Sequence, residues 1–265
     1  MGVPTVEITI PVLNEEHTIA KSLGTLSCYI EERLALDCSI TVVDNGSTDN
    51  TLGVARSFAT MNPQVSVIRI EERGRGRALK RAWSTSTADV VAYMDVDLST
   101  GLDSLRPLID PIIHGSCDLS IGSRLLPGAQ VARCMRREVI SRTYNAIARS
   151  FLHYRIADAQ CGFKAIRTCV AHDLIPQIQD NEWFFDTELL ALAHRQGLRV
   201  NQVPVSWIED KDSRVRIVKT ATEDLRGIWR LWSRNEQPNA GDGASPTHTS
   251  QPGQELTPRR PIQAA

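Results

Sequence analysis

Alternation of apolar and polar positions opens the chain. Val6-Glu7-Ile8-Thr9-Ile10-Pro11-Val12 alternates and halts at a proline, which predicts a first strand. Asn14-Glu15-Glu16 predicts the start of a helix to about residue 32, with Ile19, Leu23 and Leu26 on one face. A second strand over 39–44 ends in the Asp44 carboxylate. Asn45-Gly46-Ser47 reads as a turn, and Thr48 or Asp49 as the cap of the next helix. A third strand is predicted over 65–70. The glycine-rich basic loop 71–78 follows and leads into a helix to about residue 84. Val90-Val91-Ala92-Tyr93-Met94 is a continuous apolar run, read as a fourth strand ending at Asp95-Val96-Asp97. A helix near 103–114 and a fifth strand over 119–121 complete the first half. Strands alternating with helices at this spacing predict an α/β protein with one Rossmann-like, mostly parallel sheet and helices on both faces.

The second half is less regular. Between residues 133 and 155 six arginines (133, 136, 137, 142, 149, 155) stand against one glutamate, Glu138. Val139, Ile140, Tyr144, Ile147, Ala148, Phe151 and Leu152 are interleaved at helical spacing, so the segment reads as a basic amphipathic helix. Two readings stay open: a helix docked on the core, or one resting on an anionic membrane surface. Asp158–Ala165 is a polar stretch around Gly162, and 182–188 opens a helix to about residue 195. A strand is predicted over 198–203 and a charged loop over 211–216. A final helix over 217–232 carries Ala221, Leu225, Ile228, Trp229 and Trp232 along one side, with Arg226, Arg230 and Arg234 along the other. Residues 235–265 are rich in Pro, Gly, Ser, Thr and Gln and read as a disordered tail. One domain over 1–234 followed by that tail is the expected organisation.

Composition narrows the function classes. Hydrophobic residues make up 42% of the 265 and the net charge is −1, so no global field attracts nucleic acid, and no recognition motif for it appears. The six cysteines lack C-x-x-C spacing and read as small buried residues in a reducing compartment. No run approaches the ~18–20 apolar residues that span a bilayer, and no signal-like n-region precedes the first strand. The expectation is a cytoplasmic protein, with peripheral membrane attachment left open.

The candidate chemistry sits at Asp95-Val96-Asp97. Residues i and i+2 of a strand share a face, so both carboxylates can converge where the strand ends. The carboxyl edge of a parallel sheet is where such proteins bind ligands, and paired carboxylates there suit Mg²⁺ or Mn²⁺. A surface loop with two aspartates is the plainer alternative. Arg73-Gly74-Arg75-Gly76-Arg77 is not a dinucleotide fingerprint, because the third glycine falls at Leu79. Its arginines can still approach a phosphate.

With these pieces in order, the sequence resembles the family 2 glycosyltransferases, which have the GT-A fold, over about residues 5–232. The resemblance rests on Ile10-Pro11-Val12-Leu13-Asn14-Glu15, Val43-Asp44-Asn45-Gly46-Ser47, Gly74-Arg75-Gly76 and Asp95-Val96-Asp97. Within the family it resembles the polyprenyl-phosphate sugar synthases, above all the dolichyl-phosphate glucosyltransferases. Asp95–Thr100, Gly122-Ser123-Arg124, Asp158–Lys164 and Trp183–Glu188 carry that likeness. Ser99 and Thr100 stand where the mannose-transferring branch usually has glutamine and histidine.

The resemblance implies an inverting, metal-dependent transfer of a sugar, glucose favoured, from a nucleoside diphosphate sugar such as UDP-glucose to a polyprenyl phosphate at the membrane surface. It implies donor binding by Pro11, Asn14, Glu15, Asp44, Arg75 and Asp95, and metal binding by Asp95 and Asp97. It implies an acceptor side at Arg124 and Lys164, and catalytic roles for Asp158, Arg124 and Asp97. A phosphate monoester with a second pKa of about 6 needs little general-base help, so Asp158 is expected to orient rather than to take a proton. The alternatives are a GDP-mannose-dependent enzyme, another acceptor, or a non-catalytic nucleotide-sugar binder on the same scaffold.

Overall fold

The computed structural model describes residues 3–132, 135–208 and 217–235. The first strand, β1 (Thr5–Val12), lies in the middle of a sheet with β2 (Asp37–Asn45), β3 (Val65–Ile70) and β4 (Val90–Met94). β5 (Leu119–Ser123), β7 (Phe163–Arg167) and β8 (Val200–Pro204) complete seven strands in the order β3-β2-β1-β4-β7-β5-β8. Short strands β6 (Gln130–Ala132) and β9 (Ser206–Ile208) pair separately. Within the large sheet every pairing is parallel except the two made by β7, which runs against β4 and β5.

The apolar run of β4 is buried along its whole length, as a strand covered on both faces requires. Its side chains alternate between two cores. Val90, Ala92 and Met94 join Ile8, Ile40 and Leu108 on one face. Val91 and Tyr93 join Trp83, Phe185 and Leu189 on the other. The first core is closed by α1 (Ile19–Tyr29), α2 (Thr51–Met61) and α4 (Leu105–Ile113). The second is closed by α3 (Arg75–Trp83), α6 (Thr168–Leu174) and α7 (Phe185–Arg195), with α5 (Met135–Leu152) and α8 (Ile217–Asn235) packed outside.

Three expectations need correction. The first helix begins at Ile19, not at Asn14. Asn14 sits in the left-handed region at φ 56°, which ends the strand instead of starting a helix. The strand β7 went unforeseen: its leading loop is polar, and its Lys164 masks the apolar Phe163, Ala165 and Ile166. The final helix turns only part of its apolar side inward. Asp224, Gly227, Ile228 and Leu231 are buried, whereas Leu225 and Trp229 are exposed, Trp229 to 61%. Gly227 decides this, because its bare Cα lets α8 press on the Phe184 ring.

The basic helix is docked on the core along one side. Ala148 and Leu152 of α5 dock on the core, while Met135, Val139 and Phe151 stay exposed. Of the other expectations, the charged loop 211–216, Arg133 and the tail beyond residue 235 lie outside the described residues. Cys38, Cys117 and Cys161 are buried as expected, whereas Cys28 and Cys169 are exposed.

Candidate active site

Five chain segments meet at one edge of the sheet. β1, β2, β4 and β5 are mutually codirectional, so Asn14, Asp44, Asp95 and Arg124 all follow at or near their carboxyl ends. β7 runs the other way, so the loop before it, with Asp158, reaches the same edge. The reversal of that one strand is what joins the two halves of the chain at the site.

On one side, β1 clasps the turn after β2. Asn14 Oδ1 accepts the Thr48 N–H at 2.8 Å, and the Asn14 N–H donates to Ser47 Oγ at 2.9 Å. The Glu15 N–H donates to Thr51 Oγ1 at 2.7 Å. Asp49, expected as a cap, accepts the Thr51 N–H at 3.0 Å. Asp44 is fully buried beneath this turn and accepts from the Ser47 N–H at 3.3 Å and Arg69 Nη1 at 3.4 Å. Pro11 is half-buried beside it in the register of Val43.

The centre holds an arginine–aspartate pair. Arg75 opens α3, lies 2.9 Å from Asp95 Oδ1 through Nη2, and is sandwiched between the rings of Trp183 at 4.8 Å and Tyr93 at 5.1 Å. The arginine is 9% exposed and the aspartate 42%. Desolvation pushes the Asp95 carboxyl above its usual range, with Arg75 opposing and the Asp97 charge adding. Gly162 is required here: a methyl group on it would overlap the Asp95 carboxylate and the Arg75 guanidinium. The first N–H groups of α3, Gly76 and Arg77, donate to the carbonyls of Glu182 and Asn181, so the glycine loop is fastened to the Trp183 loop by backbone bonds.

A second pair stands across the edge. Arg124 donates to Asp158 from Nε at 2.7 Å, Nη2 at 2.9 Å and its backbone N–H at 3.1 Å. Here the aspartate is wholly buried and the arginine is 15% exposed. Burial alone would raise the Asp158 carboxyl, but the Arg124 charge and hydrogen bonds outweigh it and hold it below the usual carboxylate range. Trp207 of β9 lies over the Arg124 guanidinium at 5.4 Å. β9 is held there by the Gly101 N–H to the Ser206 carbonyl at 2.9 Å and the Ile208 N–H to the Ser99 carbonyl at 2.9 Å.

Lys164, expected on the acceptor side, points into the protein interior. It is fully buried, with Nζ 2.8 Å from Asp186 and 2.6 Å from the Cys161 carbonyl. Tyr93 donates to the same Asp186 carboxylate. Tyr93, Trp183, Asp186 and Trp207 all entered the site unannounced. Trp183 and Asp186 stood inside a recognised motif, but nothing in their spacing told that they pack on Arg75 and Lys164.

Asp97 is exposed and accepts the Ser99 N–H at 2.9 Å. Asp95 and Asp97 therefore both offer carboxylate oxygen to solvent, which fits a hard divalent cation. Among the described residues no group of three or more His, Cys, Asp and Glu is arranged to hold a metal, so a cation at Asp95 and Asp97 would need further ligands from substrate or water.

Residues 7–175 match the model of Glycosyl transferase family 2, and the chain belongs to that family. Among curated proteins it is similar to Glycosyltransferase AglD of Haloferax volcanii, 34% identical over 235 residues. That match takes in 86% of this chain and 38% of AglD, so the chain spans well under half of that relative. It is also similar to dolichyl-phosphate beta-glucosyltransferases. The Trichomonas vaginalis ALG5C protein is 28% identical over 251 residues, covering 86% of this chain and 74% of that one. The Saccharomyces cerevisiae protein is 28% identical over 229 residues, covering 79% and 69%. Among solved structures, glucosyl-3-phosphoglycerate synthase from Mycobacterium tuberculosis with UDP aligns at a TM-score of 0.65 and 22% identity over 92% of this chain and 84% of that one. The likeness at that identity is one of fold, and the fold is GT-A.

Proposed function

We propose that the protein is an inverting glycosyltransferase that moves glucose from UDP-glucose to a polyprenyl phosphate of the dolichyl type. One observation carries the reading: the two arginine–aspartate pairs are presented in opposite senses, the first offering its carboxylate and the second its guanidinium. A carboxylate-lined half suits the cation and hydroxyl groups of a sugar nucleotide. A guanidinium-lined half suits an anionic acceptor. The names of the dolichyl-phosphate relatives support the acceptor. Solved neighbours with Mn²⁺ and UDP-glucose, or with Mg²⁺ and UDP, support the donor and the cation.

In this reading Pro11, Asn14, Glu15 and Asp44 shape the pocket for base and ribose. Asp95 and Asp97 hold Mg²⁺ or Mn²⁺, and Arg75 fixes the orientation of Asp95. A cation held there would supply Lewis-acid neutralisation of the diphosphate leaving group. Arg124 grips the acceptor phosphate through a charge-assisted contact while Asp158, pinned as a carboxylate, keeps the guanidinium in place. The acceptor is already largely dianionic at neutral pH and attacks without a protein base. One displacement from behind turns an α-linked donor into a β-linked product. Lys164, through Asp186 and Tyr93, lies beneath the Arg75 side of the site rather than the Arg124 side.

The protein works at the cytoplasmic membrane surface. Phe151, Trp229 and Trp232 form a ring cluster, with centroids 6.1 Å and 4.9 Å apart, on the outer side of α5 and α8. Phe151 and Trp229 are exposed, as are Arg142, Arg149 and Arg226. Tryptophan favours the headgroup region, and each nearby basic residue adds ~1 kcal/mol on anionic lipid. No helix among the described residues is long and apolar enough to cross a membrane.

The test is transfer of radiolabelled sugar to a short polyprenyl phosphate in detergent, with UDP-glucose, UDP-N-acetylglucosamine or GDP-mannose and Mg²⁺ or Mn²⁺. Lipid product from UDP-glucose, absent in Asp97→Ala, is the expected result. Product from GDP-mannose alone would replace the sugar. Product only on 3-phosphoglycerate, run in parallel, would replace the acceptor. Donor binding without transfer to any acceptor would make the protein a non-catalytic binder.

A further inference from the structure

The last helix braces both loops that carry the arginine–aspartate pairs. Gly227 of α8 packs on Phe184, the neighbour of Trp183 that roofs Arg75. One turn earlier, Asp224 is 3% exposed and accepts a hydrogen bond from Gln160 Nε2 at 2.6 Å. Gln160 lies midway between Asp158 and Gly162, so it belongs to the short loop that touches both pairs. That loop is also fastened by the Ala159 N–H to Asn145 Oδ1 of α5 at 2.8 Å and by the Arg124 bonds to Asp158.

Asp224 is a costly residue for a purely structural role. Its Oδ1 is buried and has no hydrogen-bond partner among the described residues. Among the described residues the charges that act on it most are acidic: Asp180 before α7, Asp186 on α7 and Glu223 on α8, with the Tyr144 hydroxyl of α5 close by. Burial pushes its carboxyl up to about 7, with Gln160 opposing and those three acids adding. A neutral asparagine would accept the Gln160 bond without that electrostatic cost. What the carboxylate adds is a bond whose strength changes with its charge.

We propose that Asp224 is a positioning residue: through Gln160 it sets the 158–162 loop, and with it the Asp158–Arg124 pair, and ionisation of Asp224 tightens that loop. The acceptor side of the site is thereby linked to pH through a helix that touches no substrate. The kinetic part of this inference rests on the transfer reaction proposed above; the conformational part does not.

Hydrogen exchange of the amides at 159–163 tests the conformational part on the full chain. Asp224→Asn keeps an acceptor for Gln160 and removes the titration. Loop protection in the wild type relative to Asp224→Asn is expected to rise about 3- to 10-fold from about pH 6 to about pH 8, the gain of a charge-assisted bond over a neutral one. Gln160→Ala, which buries no new group, is expected to lose protection at both pH values. A flat ratio, or a Gln160→Ala loop as protected as the wild type, overturns the proposal.

For the kinetic part, KM for polyprenyl phosphate relative to Asp224→Asn is expected to fall about 3- to 10-fold over the same range, with KM for the donor unchanged. The comparison with Asp224→Asn cancels the titration of the acceptor's own phosphate. Equal shifts in donor and acceptor KM, or none, overturn the link to the acceptor side. The expected exchange behaviour without any transfer to polyprenyl phosphate leaves the loop inference standing and removes the acceptor assignment.

Discussion

Two arginine–aspartate pairs stand at one edge of the sheet and are turned opposite ways. In Arg75–Asp95 the guanidinium is locked under two aromatic rings and the carboxylate is displayed. In Arg124–Asp158 the carboxylate is fully buried and the arginine is the more exposed member, at 15%. The same two side-chain types therefore make one subsite that offers negative charge and one that offers positive charge. The hidden member holds the displayed one in place. The two carboxyls respond to protons in opposite ways: desolvation raises that of Asp95 against the opposing Arg75 charge, whereas the Arg124 charge and hydrogen bonds lower that of Asp158 against burial.

Substitutions that remove one member should break this contrast most visibly. Asp97→Ala is expected to reduce transfer by on the order of 100-fold or more while leaving the fold intact, because Asp97 is exposed and the hydrogen bond it loses among the described residues is the one from Ser99. Denaturant melts beside Mn²⁺-dependent transfer assays check both halves. Arg124→Ala should abolish transfer and also cost ~3–5 kcal/mol of stability, since it strands a buried charge. Arg75→Ala should weaken donor binding but destabilise less than Arg124→Ala, because the half-exposed Asp95 it leaves behind can hydrate. Equal melts for the two arginine variants would erase the distinction drawn here.

The pH dependence sharpens it. Asp158 binds its proton less readily folded than unfolded, so its stabilisation is present above about pH 4 and is lost as pH falls through its lower folded pKa. Asp224 has the opposite sign. Its folded pKa of about 7 lies above the unfolded value, so its cost begins near pH 4 and is complete above pH 7. Asp224→Asn is therefore expected to exceed the wild type in stability by a few kcal/mol at about pH 8, with the gap closing by about pH 4. Chemical denaturation at both pH values measures it.

The smallest expected effects are those of the aromatic roofs. Trp183→Ala and Trp207→Ala each remove a cation–π contact and should cost ~0.5–2 kcal/mol. Trp183→Ala is expected to raise KM for the donor, and Trp207→Ala KM for the acceptor. A reversed pattern would exchange the two subsites.

Much of the fold was legible in the chain. β3 falls at the expected residues, and the β4 run, buried along its length, announced a central strand. Period-2 alternation and continuous apolar runs are local signals, and they suffice where a strand is covered on one or both faces. The site was legible only as scattered motifs. The antiparallel β7 was invisible because its second residue is lysine, and a lysine there is read as solvent-facing. Lys164 is buried only because Asp186, 22 residues later and on another element, neutralises it. The inward face of α8 was misjudged for a similar reason. Apolar spacing favoured Leu225 and Trp229, but Gly227 and Asp224 face inward because Phe184 and Gln160 receive them.

The sequence by itself determined the alternation of strands and helices, the family, and which aspartates and arginines stand in its motifs. Tertiary structure alone decided which arginine meets which aspartate and which member of each pair stays in water. Local patterning depends on neighbours a few residues away, whereas pairing and exposure depend on groups that only the closed sheet brings together. Arg75 reaches Asp95 across 20 residues and Arg124 reaches Asp158 across 34. No periodicity spans those distances, because what sets them is the direction of β7 and the packing of the helices around it.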